Sequence, residues 1–196
     1  MSACYIGYAV ASCKRIWSYQ LKMASKFSVS AVNALNYDDF LKKFGNVVEM
    51  TPSCAAGVYS ARPFASFDSF VGAIRQFIDD LPEDSRAEIL RSHPDLADRL
   101  ESLTPESQRE QTQAGITTLS PEEIKQLKQY NKLYKEKFGF PFVICARLNN
   151  KDAILAGIKT RLNNDGEQEL KCGIEEVKKI MLLRMKDLVE CEDSKL

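Results

Sequence analysis

Histidine is almost absent from this chain: His93 is the only one in 196 residues. The six cysteines, of which no two show C-x-x-C spacing, therefore have one histidine at most to complete a metal site. A structural zinc site uses four cysteine or histidine ligands at characteristic spacings, so no metal site is expected. Free, mostly buried thiols of an intracellular protein are a better interpretation than a disulfide framework.

Neither sign of charge dominates the chain, which has 27 basic and 27 acidic residues. The sequence contains no long block of one sign and no cluster of lysine and arginine with interleaved aromatic residues. Nucleic acid and membrane surfaces are therefore not expected as partners.

The two ends of the sequence bear on location. The apolar start, MSACYIGYAVASCKRIW, is too short to span a bilayer and lacks the leading basic residues of a secretory signal. Met23 resembles a natural start, so residues 1–22 are either an N-terminal extension outside the fold or the product of an upstream start. The terminal Ser194-Lys195-Leu196 is the tripeptide that the peroxisomal import receptor binds, and it predicts a peroxisomal protein.

Apolar residues recur with helical spacing through nearly all of residues 23–196. One helix is predicted between an N-cap at Ser66 and Pro82, and another between Ser120, with Glu123 completing a capping box, and Gly139. We therefore expect one all-α domain of about eight helices. Further amphipathic segments lie near residues 37–44, 54–61, 84–91, 106–114, 152–162 and 167–190.

The segment GFPFVICAR, residues 139–147, is an uninterrupted apolar run. It is either a buried extended segment or the start of a helix, and periodicity alone does not separate the two. Arg147 follows the apolar run and could present a bidentate fork to a carboxylate, or form an ordinary surface salt bridge. Cys145 has no activating neighbour in the sequence, so an inert buried thiol is expected.

His93 follows the predicted helix EDSRAEILRS and precedes Pro94, which disfavours helical geometry at the histidine. The negative end of the helix dipole favours a protonated imidazole there, and this predicts an acid role in proton transfer. The structural alternative is a partly buried histidine that caps a helix carbonyl, and this segment alone favours that alternative.

A polar group follows in SQREQTQAG, residues 107–115. Ser107 and Glu110 are one helical turn apart, and Gln111 lies about 100° further around the helix than Glu110. A hydroxyl, a carboxylate and an amide on one side suit a small ligand rich in N–H and C=O groups. The alternative is a solvated helix start.

Three motifs in a fixed order resemble one known family. HPDLA at 93–97, SxxEQxxAG at 107–115 and FGFPFVICARLNN at 138–150 are similar to those of the decarboxylases of 2-oxo-4-hydroxy-4-carboxy-5-ureidoimidazoline, abbreviated OHCU. The resemblance extends from Met23 to the C-terminus. It leaves out residues 1–22, and the connection DRLESLTPE is a few residues shorter than in many relatives.

The resemblance implies a homodimeric lyase with no metal and no organic cofactor. Such an enzyme removes CO₂ from OHCU and forms (S)-allantoin, the last step from urate to allantoin in purine degradation. His93 is then the catalytic acid/base, and we expect Glu110 to orient His93 or the substrate. The residues expected to bind the substrate are Pro94, Ser107, Gln108, Arg109, Glu110, Gln111, Phe142, Val143, Ile144, Cys145, Ala146 and, as the carboxylate partner, Arg147.

Two alternatives remain at the level of the sequence. One is a non-catalytic peroxisomal interaction module that kept the fold and lost the activity. The other is a lyase or hydrolase that acts on a different ureido acid. The intact HPD and SxxEQ residues favour the decarboxylase over the inactive module.

Overall fold

A computed structural model describes residues 26–98 and 102–191. These residues form one compact all-α domain, as predicted, with nine α-helices where about eight were expected. Outside the helices they contain one isolated bridge, between Phe27 and Val189. The helices are α1 (Val29–Ala34), α2 (Tyr37–Phe44), α3 (Pro52–Val58), α4 (Phe67–Asp80), α5 (Glu83–Arg91), α6 (Pro105–Gln113), α7 (Pro121–Phe138), α8 (Lys151–Arg161) and α9 (Gly166–Leu188).

Several features that the sequence suggested lie outside the described residues. They are the extension 1–22 with Cys4 and Cys13, residues 99–101 of the connection after HPDLA, and the terminal Ser194-Lys195-Leu196. The other four cysteines are free, as expected: Cys54 and Cys145 are buried, and Cys172 and Cys191 are half-buried.

Capping residues set the ends of the two best-predicted helices. Ser66 and Ser69 exchange side-chain and backbone hydrogen bonds at the start of α4. Ser120 and Glu123 form the predicted capping box of α7. This helix ends at Gly139, whose φ of 76° is a left-handed conformation that glycine adopts without strain.

The long helix α9 packs against α4 and α5 and brings its apolar stripe into the core. Four members of that stripe, Ile174, Val177, Met181 and Met185, are buried. Gly173 allows the close approach to α5, because a Cβ at this position would lie 2.8 Å from Cδ1 of Leu90. This contact fixes the end of α5, and His93 is the second residue after that end.

After Gly139, which is exposed and caps α7, the apolar run contains no helical residue up to Cys145 and is mostly buried, and a short 3₁₀ turn, Ala146–Leu148, follows it. The extended alternative is therefore the one that the chain adopts. Across the described ranges, none of the helices combines the length and the apolar character that crossing a membrane requires.

Candidate active site

The two ring nitrogens of His93 have different surroundings. Nδ1 lies 2.9 Å from the carbonyl oxygen of Ile89 in the last turns of α5. Because a carbonyl only accepts, Nδ1 carries the hydrogen, and the neutral ring then presents Nε2 as an unprotonated acceptor. Nε2 is buried and has no hydrogen-bond partner among the described residues. His93 therefore caps a helix carbonyl with one nitrogen and leaves the other available for proton transfer.

Burial lowers the pKa of His93 from 6.5 to about 4. The Ile89 carbonyl and the charge of Glu49 act in the opposite direction, and Arg184 adds to the lowering. The prediction that the helix end would favour a protonated ring is wrong, because loss of solvent around the imidazole outweighs the helix dipole. At neutral pH His93 is a neutral base.

Helix α6 supplies the polar wall. Thr104 caps it, its side chain accepting from the backbone N–H of Ser107. Ser107 and Gln111 are buried and Glu110 is partly buried, so the predicted polar face points inward. The side-chain oxygen of Gln111 accepts from the N–H of Ala97 at 3.1 Å and thereby holds the loop that follows His93.

The extended segment supplies an apolar wall through Phe142, Val143, Ile144 and Ala146. Cys145 points elsewhere: its N–H donates to Glu176 at 2.8 Å, and burial raises the pKa of its thiol. The expectation of an inert thiol agrees with these surroundings. The backbone N–H of Cys145 is committed to Glu176 and is not free to hold a ligand.

These elements enclose one open cavity. Its lining residues come from the HPDL loop, α6, the extended segment and α9, and they include most of the predicted site. They are His93, Pro94, Leu96, Ser107, Glu110, Gln111, Phe142, Val143, Ile144, Ala146, Ile180 and Arg184.

Four predicted residues do not line this cavity. Gln108 is half-buried on another side of α6, and Cys145 packs as described. Arg109, which is exposed, and Arg147 line a neighbouring cavity that shares Glu110 and Arg184 with the first. Arg147 forms a bidentate pair with Asp187, at 2.7 and 3.2 Å, which is the salt bridge given as its alternative.

Sequence reasoning missed Arg184, the cation of the cavity. It is 4 % exposed and lies between two carboxylates, with Nη2 2.7 Å from Glu110 and 2.7 Å from Glu49. Burial lowers the pKa of Arg184, but the two ion pairs outweigh this and raise it, so the guanidinium stays charged. The available signal was an arginine one turn after Met181, on the apolar stripe of α9.

The cavity thus combines a neutral imidazole, a fixed guanidinium, a carboxylate and an amide with apolar walls. Such a site can bind a small polar ligand and exchange a proton with it. Within residues 26–98 and 102–191, no three His, Cys, Asp or Glu side chains are grouped as a metal site.

A model of the family described as OHCU decarboxylase matches residues 33–186. This chain belongs to that family. A decarboxylase of OHCU from Amia calva is 50 % identical over 163 residues, which are 82 % of this chain and 93 % of the relative. The Xenopus laevis OHCU decarboxylase is 45 % identical, over 82 % of this chain and 93 % of the relative.

The fold of this chain is also similar to that of a solved structure. A crystal structure of an OHCU decarboxylase in the presence of (S)-allantoin is 27 % identical, with a TM-score of 0.62. The match covers 74 % of this chain and 95 % of that chain. Every residue that lines the cavity lies within the family's matched range, whereas residues 1–32 and 187–196 fall outside it.

Proposed function

We infer that this protein is a carboxy-lyase that decarboxylates OHCU to (S)-allantoin, in purine degradation. The observation that carries this is the 50 % identity to an OHCU decarboxylase across 93 % of that relative. The cavity chemistry supports it independently, since a small ureido acid needs an anion-binding cation, amide-type partners and a proton carrier.

The substrate supplies its own electron sink. When the carboxylate leaves as CO₂, its bonding electrons move into the ring, and the conjugated C=N accepts them as its nitrogen takes a proton from solvent. The resulting enol becomes the ketone of allantoin when its hydroxyl loses a proton and the ureido-bearing carbon gains one. No cofactor is required for this electron flow.

We assign the proton exchange to His93. Its unprotonated Nε2 can take the hydroxyl proton and return it to the ureido-bearing carbon from one side of the ring. Delivery from a fixed side makes one enantiomer, whereas water protonates both faces. General acid/base catalysis contributes typically about 10²–10⁴-fold, so binding and electrostatics must supply the rest.

We assign the substrate carboxylate to Arg184, which lines the cavity beside Glu110. Gln111 offers the N–H groups of its amide to a carbonyl of the substrate, and Ser107, whose hydroxyl donates to Glu49, offers its oxygen to a ureido N–H. Pro94 and Phe142 are apolar walls for the ring. Gln108, Arg109, Cys145 and Arg147, also expected at the site, have no direct part in this assignment, because they lie outside the cavity.

A coupled assay tests the activity. Urate, urate oxidase and the hydrolase that opens 5-hydroxyisourate generate OHCU in the cuvette, and circular dichroism follows allantoin. With the protein present we expect rapid formation of dichroic (S)-allantoin, against slow racemic decay without it. Equal time courses with and without the protein would exclude the decarboxylase.

We propose import into peroxisomes through Ser194-Lys195-Leu196, a proposal that rests on the sequence alone. A fluorescent protein fused to the N-terminus of the chain should collect in peroxisomes, and the same fusion with Lys195→Glu should stay diffuse. A diffuse signal from the unaltered fusion would contradict the proposal.

We also propose that the protein is a homodimer, on the strength of the family resemblance. Light scattering coupled to size exclusion should give about twice the chain mass of 22.1 kDa. A mass of one chain at micromolar concentration would contradict the dimer.

A further inference from the structure

Glu49 is a buried carboxylate that lies outside the cavity and yet contacts three of the elements that build it. It stands in the segment between α2 and α3 and is 1 % exposed. A charged side chain buried this deeply is expensive unless ion pairs and hydrogen bonds compensate it. The carboxylate of Glu49 has an ion pair and two hydrogen bonds, and its backbone carbonyl accepts from nearby hydroxyl groups.

The backbone carbonyl of Glu49 holds the segment that carries the imidazole. Its oxygen lies 2.8 Å from the hydroxyl of Ser92, the residue directly before His93. The hydroxyl of Thr51 lies at the same distance, 2.8 Å, from this oxygen. The α2–α3 segment is thereby joined to the end of α5.

The carboxylate of Glu49 holds α6 and α9. One oxygen accepts from the hydroxyl of Thr104, the N-cap of α6, at 2.7 Å. The other accepts from the hydroxyl of Ser107 at 2.8 Å and lies 2.7 Å from Nη2 of Arg184. The side chain thus joins the start of the polar wall to the cation on α9.

Glu49 and the cavity residue Glu110 both form ion pairs with Arg184. Burial alone would raise the pKa of Glu49, but the Arg184 charge and the hydrogen bonds outweigh it and hold the pKa below the usual 4.5. Glu49 is therefore ionised at neutral pH. With Glu49 neutral, Arg184 would have Glu110 as its one remaining carboxylate partner within the described residues.

We propose that Glu49 is a positioning residue of the decarboxylase: its carboxylate holds α6 and Arg184, and its charge acts on the nearby His93, without contacting the substrate. This rests on the proposed function. Misplacing a reacting group by about 1 Å can cost roughly 10²-fold in rate. The carboxylate of Glu49 holds Ser107 and Arg184, which bind the substrate in the proposed function, so its loss lowers kcat/KM.

The test compares Glu49→Gln with Val32→Ala, a change in the core residue of α1 away from the cavity. For Glu49→Gln we expect kcat/KM to fall about 10- to 100-fold. Val32→Ala should lower the unfolding midpoint and keep the wild-type kcat/KM. If Glu49→Gln lowers only the unfolding midpoint, as Val32→Ala does, the positioning role is excluded.

A second measurement does not depend on the activity. His93 is the only histidine, so its imidazole gives a single set of NMR signals. Glu49→Gln should move the His93 signals, and Val32→Ala should leave them in place. Unmoved signals in a folded Glu49→Gln protein overturn the proposal, whereas an inactive wild type overturns the decarboxylase instead.

Should Glu49→Gln not fold, Glu49→Asp keeps the charge and the Thr104 cap of α6 but draws the carboxylate back by one methylene from Ser107 and Arg184. It should lower kcat/KM several-fold and shift the His93 signals. Wild-type kcat/KM and wild-type signals in a folded Glu49→Asp protein would overturn the proposal.

Discussion

At the scale of single residues, the surroundings of His93 are compatible with a structural role and with the proposed catalytic one together. Nδ1 binds the carbonyl of Ile89, which is the structural alternative, and the same bond fixes the tautomer that leaves Nε2 bare. Sequence reasoning found the residue and its position after a helix. It predicted the wrong charge because the depth of burial, which decides the pKa, depends on elements distant in the chain.

We predict that the imidazole of the folded protein titrates near pH 4. Burial favours the neutral form, so the pKa is lowered, and the ring stays neutral from pH 7 down to about 5. NMR of the untagged protein measures this through its single histidine, and the same signal in urea should titrate near the unperturbed value of about 6.5. A folded-state midpoint of 6.5 or above would contradict the burial argument.

We expect Glu110→Gln to lower kcat by about 10²-fold or more, since the charge that holds Arg184 at the cavity wall is lost. Steady-state kinetics measures this. Glu122→Gln, which neutralises an exposed carboxylate in the first turn of α7, is the control and should keep wild-type kinetics. Near-wild-type kinetics for Glu110→Gln would make Glu110 a structural residue.

At the scale of elements, local sequence signals predicted the ends of two helices correctly. Ser66, Ser120, Glu123 and Gly139 mark helix ends through hydrogen bonds and a backbone angle that depend on neighbouring residues only. Helix α1 was missed because six residues are too few for a period to show. Its N-cap at Ser28 was the one signal present.

In the candidate site, too, local sequence patterns predicted some residues and missed others. The cavity face of α6 follows from the spacing of Ser107, Glu110 and Gln111 on one helix. Arg184 was missed because its burial depends on Glu49, 135 positions earlier in the sequence, and on Glu110. Ion pairs between distant segments leave no periodic trace.

We predict opposite effects for two glycine-to-alanine changes inside helices. At Gly173 the new Cβ meets the buried Leu90 at 2.8 Å, so the unfolding free energy should fall by about 1–3 kcal/mol. At Gly72 no atom lies within 4 Å, so alanine should raise the unfolding free energy by up to about 1 kcal/mol.

Urea denaturation of Gly173→Ala and Gly72→Ala measures both changes. A Gly173→Ala protein as stable as Gly72→Ala would show that α9 and α5 do not pack as closely as the structure has them.

At the scale of the whole molecule, the cavity exists only in the folded chain. Its walls come from the loop after α5, from α6, from the extended segment and from α9, which are separate in the sequence. The order of three motifs predicted the family, and folding brings residues from all three motifs around one cavity. The fold thus places an imidazole, a guanidinium and a carboxylate around one cavity.

Comparing wild type with His93→Asn in the circular-dichroism assay tests whether this arrangement is an enantioselective decarboxylase. We predict that wild type forms (S)-allantoin rapidly. With a folded His93→Asn protein, allantoin should form slowly and as a racemate, as it does in buffer without enzyme. Racemic allantoin from wild type, or a wild-type dichroic signal from His93→Asn, would contradict it.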